Sequence, residues 1–233
     1  MCTSIVVNKK KTIVGWNLDL LDMKSRVKEN DLGVFIEVYD YKEGWMPLFG
    51  ANYKGDFVGM PTCWPYDKRS DQQNASDINI INLDIDLLLT KTSFEETLNI
   101  VKEKRICSIS GVTFMASLSD KDGNVLHIIP GQGYKYYERP KYKILTNFSP
   151  FKGGSELHPL MGLDRYKLAE EMLKDAQDDF DVEDCFKILK EVSQNVCPTV
   201  VSMVYDASEN IVYWCEQQNW DNIKSKKLMK DNV

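Results

Sequence analysis

Histidine is nearly absent from this chain: His127 and His158 are the only two in 233 residues. A Ser-His-Asp triad or a Cys-His dyad could form only if one of them lay beside a nucleophile. Neither context suggests it, because His127 stands in the strand-like run "NVLHIIPG" and His158 between a Gly-Gly loop and a proline. Metal ligands are equally scarce. The six cysteines (Cys2, Cys63, Cys107, Cys185, Cys197 and Cys215) include no C-x-x-C pair and no Cys/His cluster at zinc spacing. No metal and no cofactor are therefore expected, and the cysteines read as reduced thiols in a cytoplasmic protein. Long apolar runs are also missing. No segment approaches the ~18 residues of a membrane span, and "SIVV" falls short of the ~7–15 apolar residues of a secretory signal. Basic charge is not in excess either: the net charge is −6, which argues against nucleic acid or an anionic membrane as partner. Lys9, Lys10 and Lys11 read as a solvated turn. A small-molecule substrate remains the expected partner, with a homo-oligomer left open.

What is present is an ordinary globular composition, 43% hydrophobic, in a length that suits one domain over 1–233. "TSIVV" and "TIVGW" flank a polar turn and predict a hairpin. "LGVFIEVYD" predicts a strand, "GWMPLF" and "GDFVGMP" shorter ones, and "CWPYDKRSDQQNASD" a long loop. "INLDIDLLL" reads as helix or strand, and the cap that follows it favours two successive helices. In "TSFEETLNIVKEKR", Ser93 and Glu96 form a capping box ahead of Phe94, Leu98 and Val101 at helical spacing. Strands follow in "GVTFMASLSD", "VLHIIPG", "YKYYER" and "YKILTNF". Helices follow in "GLDRYKLAEEMLKDAQ" and "DVEDCFKILKEVS", the latter capped by Asp181. "TVVSMVYDASENIVYWCEQ" closes the pattern as a hairpin, and residues 222–233 read as a frayed polar tail. This order is not a βαβ alternation, so two mainly antiparallel sheets covered by helices are expected.

Cys2 stands one position after the initiator methionine. If Met1 is removed, a thiol and a free α-amine share one residue, and the amine can take the thiol proton directly or through water. Such a site needs a cation to favour thiolate, a carboxylate to orient the amine and donors for an oxyanion. Asp19 closes the second strand of the hairpin and folds back toward Cys2. Asn17 lies on the same strand face as Asp19 by the period of two. Asn147 ends "YKILTN". Arg165 opens a helix, where the macrodipole disfavours a cation unless a specific partner offsets it. Read singly, Asp19 and Asn147 are also ordinary turn residues and Arg165 an ordinary solvated one.

Taken together and in order, "MCTSIVV…GWNLD", "LTNFSPF" and "LDRYKLAEEML" resemble the N-terminal-nucleophile hydrolases of the choloylglycine hydrolase, penicillin V acylase and acid ceramidase group. They also resemble the related acyl-coenzyme A:isopenicillin N acyltransferase-like proteins. The resemblance spans most of the chain. It implies a four-layer αββα sandwich and hydrolysis of a linear amide C–N bond through an acyl-thioester. In the roles it implies, Cys2 is the nucleophile and Asp19 orients its amine. Asn147 serves the oxyanion and Arg165 supports the thiolate. Trp16 replaces the arginine common before the N-x-D motif. A second oxyanion donor has no clear match in "FVGMPTCWP", which leaves Thr62 or a nearby amide for that task. Acyl transfer to an amine, and a non-catalytic protein that keeps the fold, stand as alternatives.

Overall fold

The computed structural model describes residues 1–151 and 160–229. In chain order the elements are β1 (Cys2–Asn8), β2 (Thr12–Asp19), β3 (Ser25–Asn30), β4 (Gly33–Asp40), β5 (Gly44–Asn52), β6 (Phe57–Gly59), β7 (Thr62–Cys63) and β8 (Ile78–Asn79). Helices α1 (Ile80–Leu88) and α2 (Phe94–Glu103) follow, then β9 (Ile106–Cys107), β10 (Thr113–Phe114), β11 (Ala116–Ser119), β12 (Val125–Ile129), β13 (Gly133–Tyr137) and β14 (Tyr142–Leu145). The chain continues through α3 (Leu163–Lys174), α4 (Val182–Glu191), β15 (Thr199–Asp206), β16 (Ile211–Glu216) and β17 (Lys224–Lys227).

A six-stranded sheet runs β14-β1-β2-β15-β16-β17, and a seven-stranded sheet runs β13-β12-β11-β6-β5-β4-β3. Side chains alternate between the two faces of a strand, and that alternation builds the layers. Ile5, Val7 and Ile13 leave the first sheet on one side and pack with Leu173, Phe186 and Leu189 of α3 and α4. Val6, Val14, Trp16 and Leu18 leave it on the other and meet Val34, Ile36, Phe49 and Phe57 of the second sheet. The outer face of that second sheet, with Phe35, Val58 and Leu118, is covered by Leu83, Leu87 and Phe94 of α1 and α2. Helices, sheet, sheet and helices make the expected αββα sandwich. β1, β2 and β15 are buried along their whole length, and their buried polar residues, among them Thr3, Asn17, Asp19, Thr199 and Ser202, are satisfied by hydrogen bonds to one another and to neighbouring elements.

Two glycines set how closely these layers approach. A Cβ on Gly15 would lie 2.6 Å from Cys185 Sγ on α4, and one on Gly59 would lie 2.6 Å from Trp16 Cε3. The capping box of α2 and the Asp181 cap of α4 both form. Two expectations need correction, and one stretch without an expectation becomes a strand. "GVTFMASLSD" is split into β10 and β11. The polar stretch Ser25–Asn30 is a strand, held by pairing to β4. Residues 224–227, expected to fray, pair with β16 and are followed by the buried Leu228, whose N–H donates to Asn210 O at 2.8 Å.

Candidate active site

The hairpin register sets the first contact. Cys2 pairs with Leu18 across β1 and β2, and the Asp19 N–H donates to Met1 O at 2.8 Å. Asp19 therefore lies beside the start of the chain, as the sequence predicts. Asp19 is 1% exposed, and its carboxylate is held from the start of β15 and the segment before it: Thr199 Oγ1 donates to Oδ1 at 2.6 Å, and Gln194 Nε2 donates to Oδ2. Burial raises the Asp19 pKa to about 6, against the opposing pull of the Thr199 bond, Arg165, the terminal ammonium and Gln194.

Arg165 reaches the same point from the first turn of α3. Gly162 caps that helix with φ at 76°, and no side chain caps it. A Cβ there would come within 2.5 Å of Arg165 Nη2, so glycine serves both the left-handed backbone and the guanidinium's path. Arg165 Nη1 donates to Cys2 O at 2.6 Å and to Thr3 Oγ1 at 2.7 Å, Nη2 donates to Asn147 Oδ1 at 2.6 Å, and Nη1 stands 3.6 Å from Asp19 Oδ2. These partners offset a cation that the helix dipole alone would disfavour.

Asn147 follows β14 and completes the cluster. Its Oδ1 accepts the Cys2 N–H at 3.0 Å, while Nδ2 donates to Thr62 O at 2.7 Å and to Thr62 Oγ1 at 3.2 Å. The Trp64 N–H donates to Asn147 O at 2.8 Å, which ties the long loop to the site. The Met1 ammonium donates to Asp19 O at 2.7 Å and faces Cys197 Sγ at 3.7 Å. The Cys2 thiol is 5% exposed. Burial pushes it up to about 12; the terminal ammonium and Arg165 pull it down, and Asp19 pushes it further up. A thiol so placed stays protonated at neutral pH and needs a base at its side.

The structure thus brings Cys2, Asp19, Asn147 and Arg165 together and sets Thr62 against Asn147. Two weaker candidates lie elsewhere. Asn17 is in register with Thr3 and faces the helices: its Nδ2 donates to Leu189 O at 2.7 Å and its Oδ1 accepts from Ser202 Oγ at 2.7 Å. That side chain ties two layers and is no oxyanion donor. Trp16 is fully buried between the sheets and stacks on Phe49 at 5.1 Å, so it is a core residue and not a substrate contact. His127 is buried on β12, and His158 lies outside the described residues. Thr199, Gln194, Thr3 and Gly162 are supports the sequence does not announce. They become visible only through the β2–β15 pairing and the docking of α3. Among the described residues, no group of three His, Cys, Asp or Glu side chains is placed to hold a metal ion, and no helix is long and apolar enough to cross a membrane.

No family model matches the sequence, and no curated protein sequence matches it. The fold, in contrast, matches solved structures across nearly the whole chain. The conjugated bile acid hydrolase from Clostridium perfringens, solved as its C2A mutant, aligns with a TM-score of 0.71 over 100% of this chain and 94% of its own, at 16% identity. Penicillin V acylase from Agrobacterium tumefaciens aligns at 0.69, covering 98% of this chain and 86% of its own, at 12% identity. The N-acylethanolamine-hydrolyzing acid amidase ortholog from Caenorhabditis elegans aligns at 0.63, covering 88% and 93%, at 17% identity. The chain therefore shares its αββα fold with these three proteins.

Proposed function

We propose that this protein, acting as one cytoplasmic domain, is a cysteine N-terminal-nucleophile amidohydrolase that cleaves a linear amide after Met1 is removed. The observation that carries the reading is the convergence of Asp19, Asn147 and Arg165 on the backbone of Cys2. Once Met1 is gone, the Cys2 nitrogen is an amine 3.0 Å from Asn147 Oδ1. The amine takes the thiol proton, and the sulfur attacks the substrate carbonyl carbon. The resulting ammonium returns that proton to the leaving nitrogen as the C–N bond breaks, which leaves an acyl-thioester on Cys2. Water then attacks the thioester, giving one proton to the amine; the acid leaves and the thiol is restored.

Arg165 holds Cys2 O and Asn147 in place, and its charge, together with the ammonium, offsets the burial that opposes thiolate. Asp19, braced by Thr199 and Gln194, sets the local field at the amine. Asn147 has its Nδ2 on Thr62, so an oxyanion at this point shares that donor with Thr62. The exposed apolar side chains Leu21, Met23, Trp64 and Val196 each lie a few residues from Asp19, Thr62 or Cys197. This favours a substrate with an apolar acyl group.

The test is hydrolysis of a panel comprising penicillin V, conjugated bile acids, N-acylethanolamines and N-acyl amino acids by wild type and Cys2→Ser. Turnover of at least one amide by wild type, with nearly all of it lost in a folded Cys2→Ser protein, supports the mechanism. Equal activity in the variant refutes it. Adding an amine acceptor separates acyl transfer from hydrolysis by whether a new amide forms.

A further inference from the structure

The six-stranded sheet ends at β14 and the seven-stranded sheet at β13, and between these edges the sandwich is open. With α3 as the outer wall, the opening forms a cavity of about 650 Å³ whose lining includes His127, Lys135, Tyr137, Lys143, Phe148 and Tyr166. That volume is in the range of small-molecule sites. Among the described residues, its lining includes neither Cys2, Asp19 nor Arg165.

The cavity is cationic, and among the described residues one buried nitrogen in its wall lacks a hydrogen-bond partner. His127 is 2% exposed, and its Nε2 has no hydrogen-bond partner among the described residues, an unusual state for a buried polar atom. Burial, Lys143 and Lys135 depress its pKa to about 3, so the ring is neutral and one of its nitrogens carries a hydrogen. Lys135 Nζ donates to Pro150 O at 3.0 Å and lies over the Phe151 ring, while Lys143 Nζ lies 4.0 Å from the centre of the Tyr137 ring. Neither lysine has an ion pair among the described residues, and burial together with Lys135 lowers the pKa of Lys143. Glu170, the one carboxylate in the described lining, faces Lys174 at 3.3 Å and is hydrogen-bonded to Tyr166. Three lysines (Lys135, Lys143 and the exposed Lys141) and a buried imidazole among aromatic walls match a negatively charged head on an apolar or aromatic body.

We infer that this cavity is a second binding site, distinct from the Cys2 centre, for an organic anion with an aromatic or apolar body. The site also has a path to the reaction centre. Its lining includes Thr146 and Phe148, the neighbours of Asn147, and Leu163 and Tyr166, which bracket Arg165 on α3. An occupant would brace the two side chains that hold the Cys2 backbone.

The experiment uses the full chain and two probes with the same aromatic body. 8-Anilinonaphthalene-1-sulfonate carries the anion, and N-phenyl-1-naphthylamine lacks it. The site predicts saturable fluorescence binding of the sulfonate with one equivalent per chain. It also predicts an affinity for the neutral probe, and for the K135M/K143M double variant, weaker by about tenfold or more. If the double variant loses its near-ultraviolet circular dichroism, Lys143→Gln carries the same comparison. Cys2→Ala should bind the sulfonate as wild type does. Equal affinity for both probes, unchanged affinity in the lysine variants, loss of binding in Cys2→Ala or an absence of saturable binding each overturns the proposal. None of these readouts needs amidase activity, so failure here is separate from failure of the Cys2 mechanism.

Discussion

Arg165 is the residue on which the buried cluster turns, because one guanidinium serves Cys2 O, Thr3 Oγ1 and Asn147 Oδ1 while facing Asp19. Removing it takes a charged donor from Cys2 O, Thr3 Oγ1 and Asn147 Oδ1 and the facing cation from the buried Asp19, which keeps only the neutral donors Thr199 and Gln194. Arg165→Met should therefore cost about 3–5 kcal/mol of stability in urea unfolding, and Arg165→Lys should not restore it, since an ammonium lacks the planar fork. Asp19 makes a pH prediction. Its folded pKa, about 6, exceeds the ordinary 3.8, so the folded protein binds this proton more tightly than the unfolded chain. Stability from this group is full below about pH 4, falls as pH rises through about 6 and is then constant, a total change of roughly 3 kcal/mol. Asn cannot titrate, so the unfolding free energy of Asp19→Asn relative to wild type should rise by most of that amount, about 2 kcal/mol or more, between pH 4 and pH 7. A difference that does not change with pH would contradict the assignment. The same ionisation predicts that amide hydrolysis falls away below about pH 6.

At the level of elements, α4 rests on β2 through Gly15. Gly15→Ala drives a Cβ into Cys185 Sγ and Leu189, and the expected cost is about 1–3 kcal/mol. Replacing Cys185 by Ala in the same chain should recover part of this cost, and a double-mutant cycle measures the coupling. Elements with a local signal were legible in the sequence. The capping box of α2, the Asp181 cap of α4 and the hairpins need only neighbouring residues to be recognised. Elements fixed from a distance were not. Ser25–Asn30 is polar enough to read as loop and becomes a strand through β4, and residues 224–227 become one through β16. The site divides in the same way. Cys2 and Asp19 are joined by a hairpin register that sequence supplies, and the cation opening α3 signals that Arg165 needs a partner. Thr199 and Gln194 carry no such mark, because they reach Asp19 only through the crossover that lays β15 beside β2. Asn17 misled because the period of two gives its strand face without saying which face looks to the helices.

In the molecule as a whole, the four layers place the start of β1 inside the sandwich and seal it with β14, β2 and α3. An N-terminal residue is ordinarily prone to fray, yet Cys2 is fixed at its carbonyl, its nitrogen and its thiol. In the proposed mechanism these buried polar contacts position the Cys2 nitrogen beside its own thiol. The Met1 ammonium stands at Asp19 O and Cys197 Sγ, whereas the proposed mechanism puts that charge on the Cys2 amine. The decisive measurement is the intact mass of the purified full-length chain, with the N-terminal peptide sequenced in the same spectrum. Catalysis by the Cys2 amine and thiol predicts a mature protein that begins at Cys2. A chain that quantitatively retains Met1 while hydrolysing an amide would contradict it.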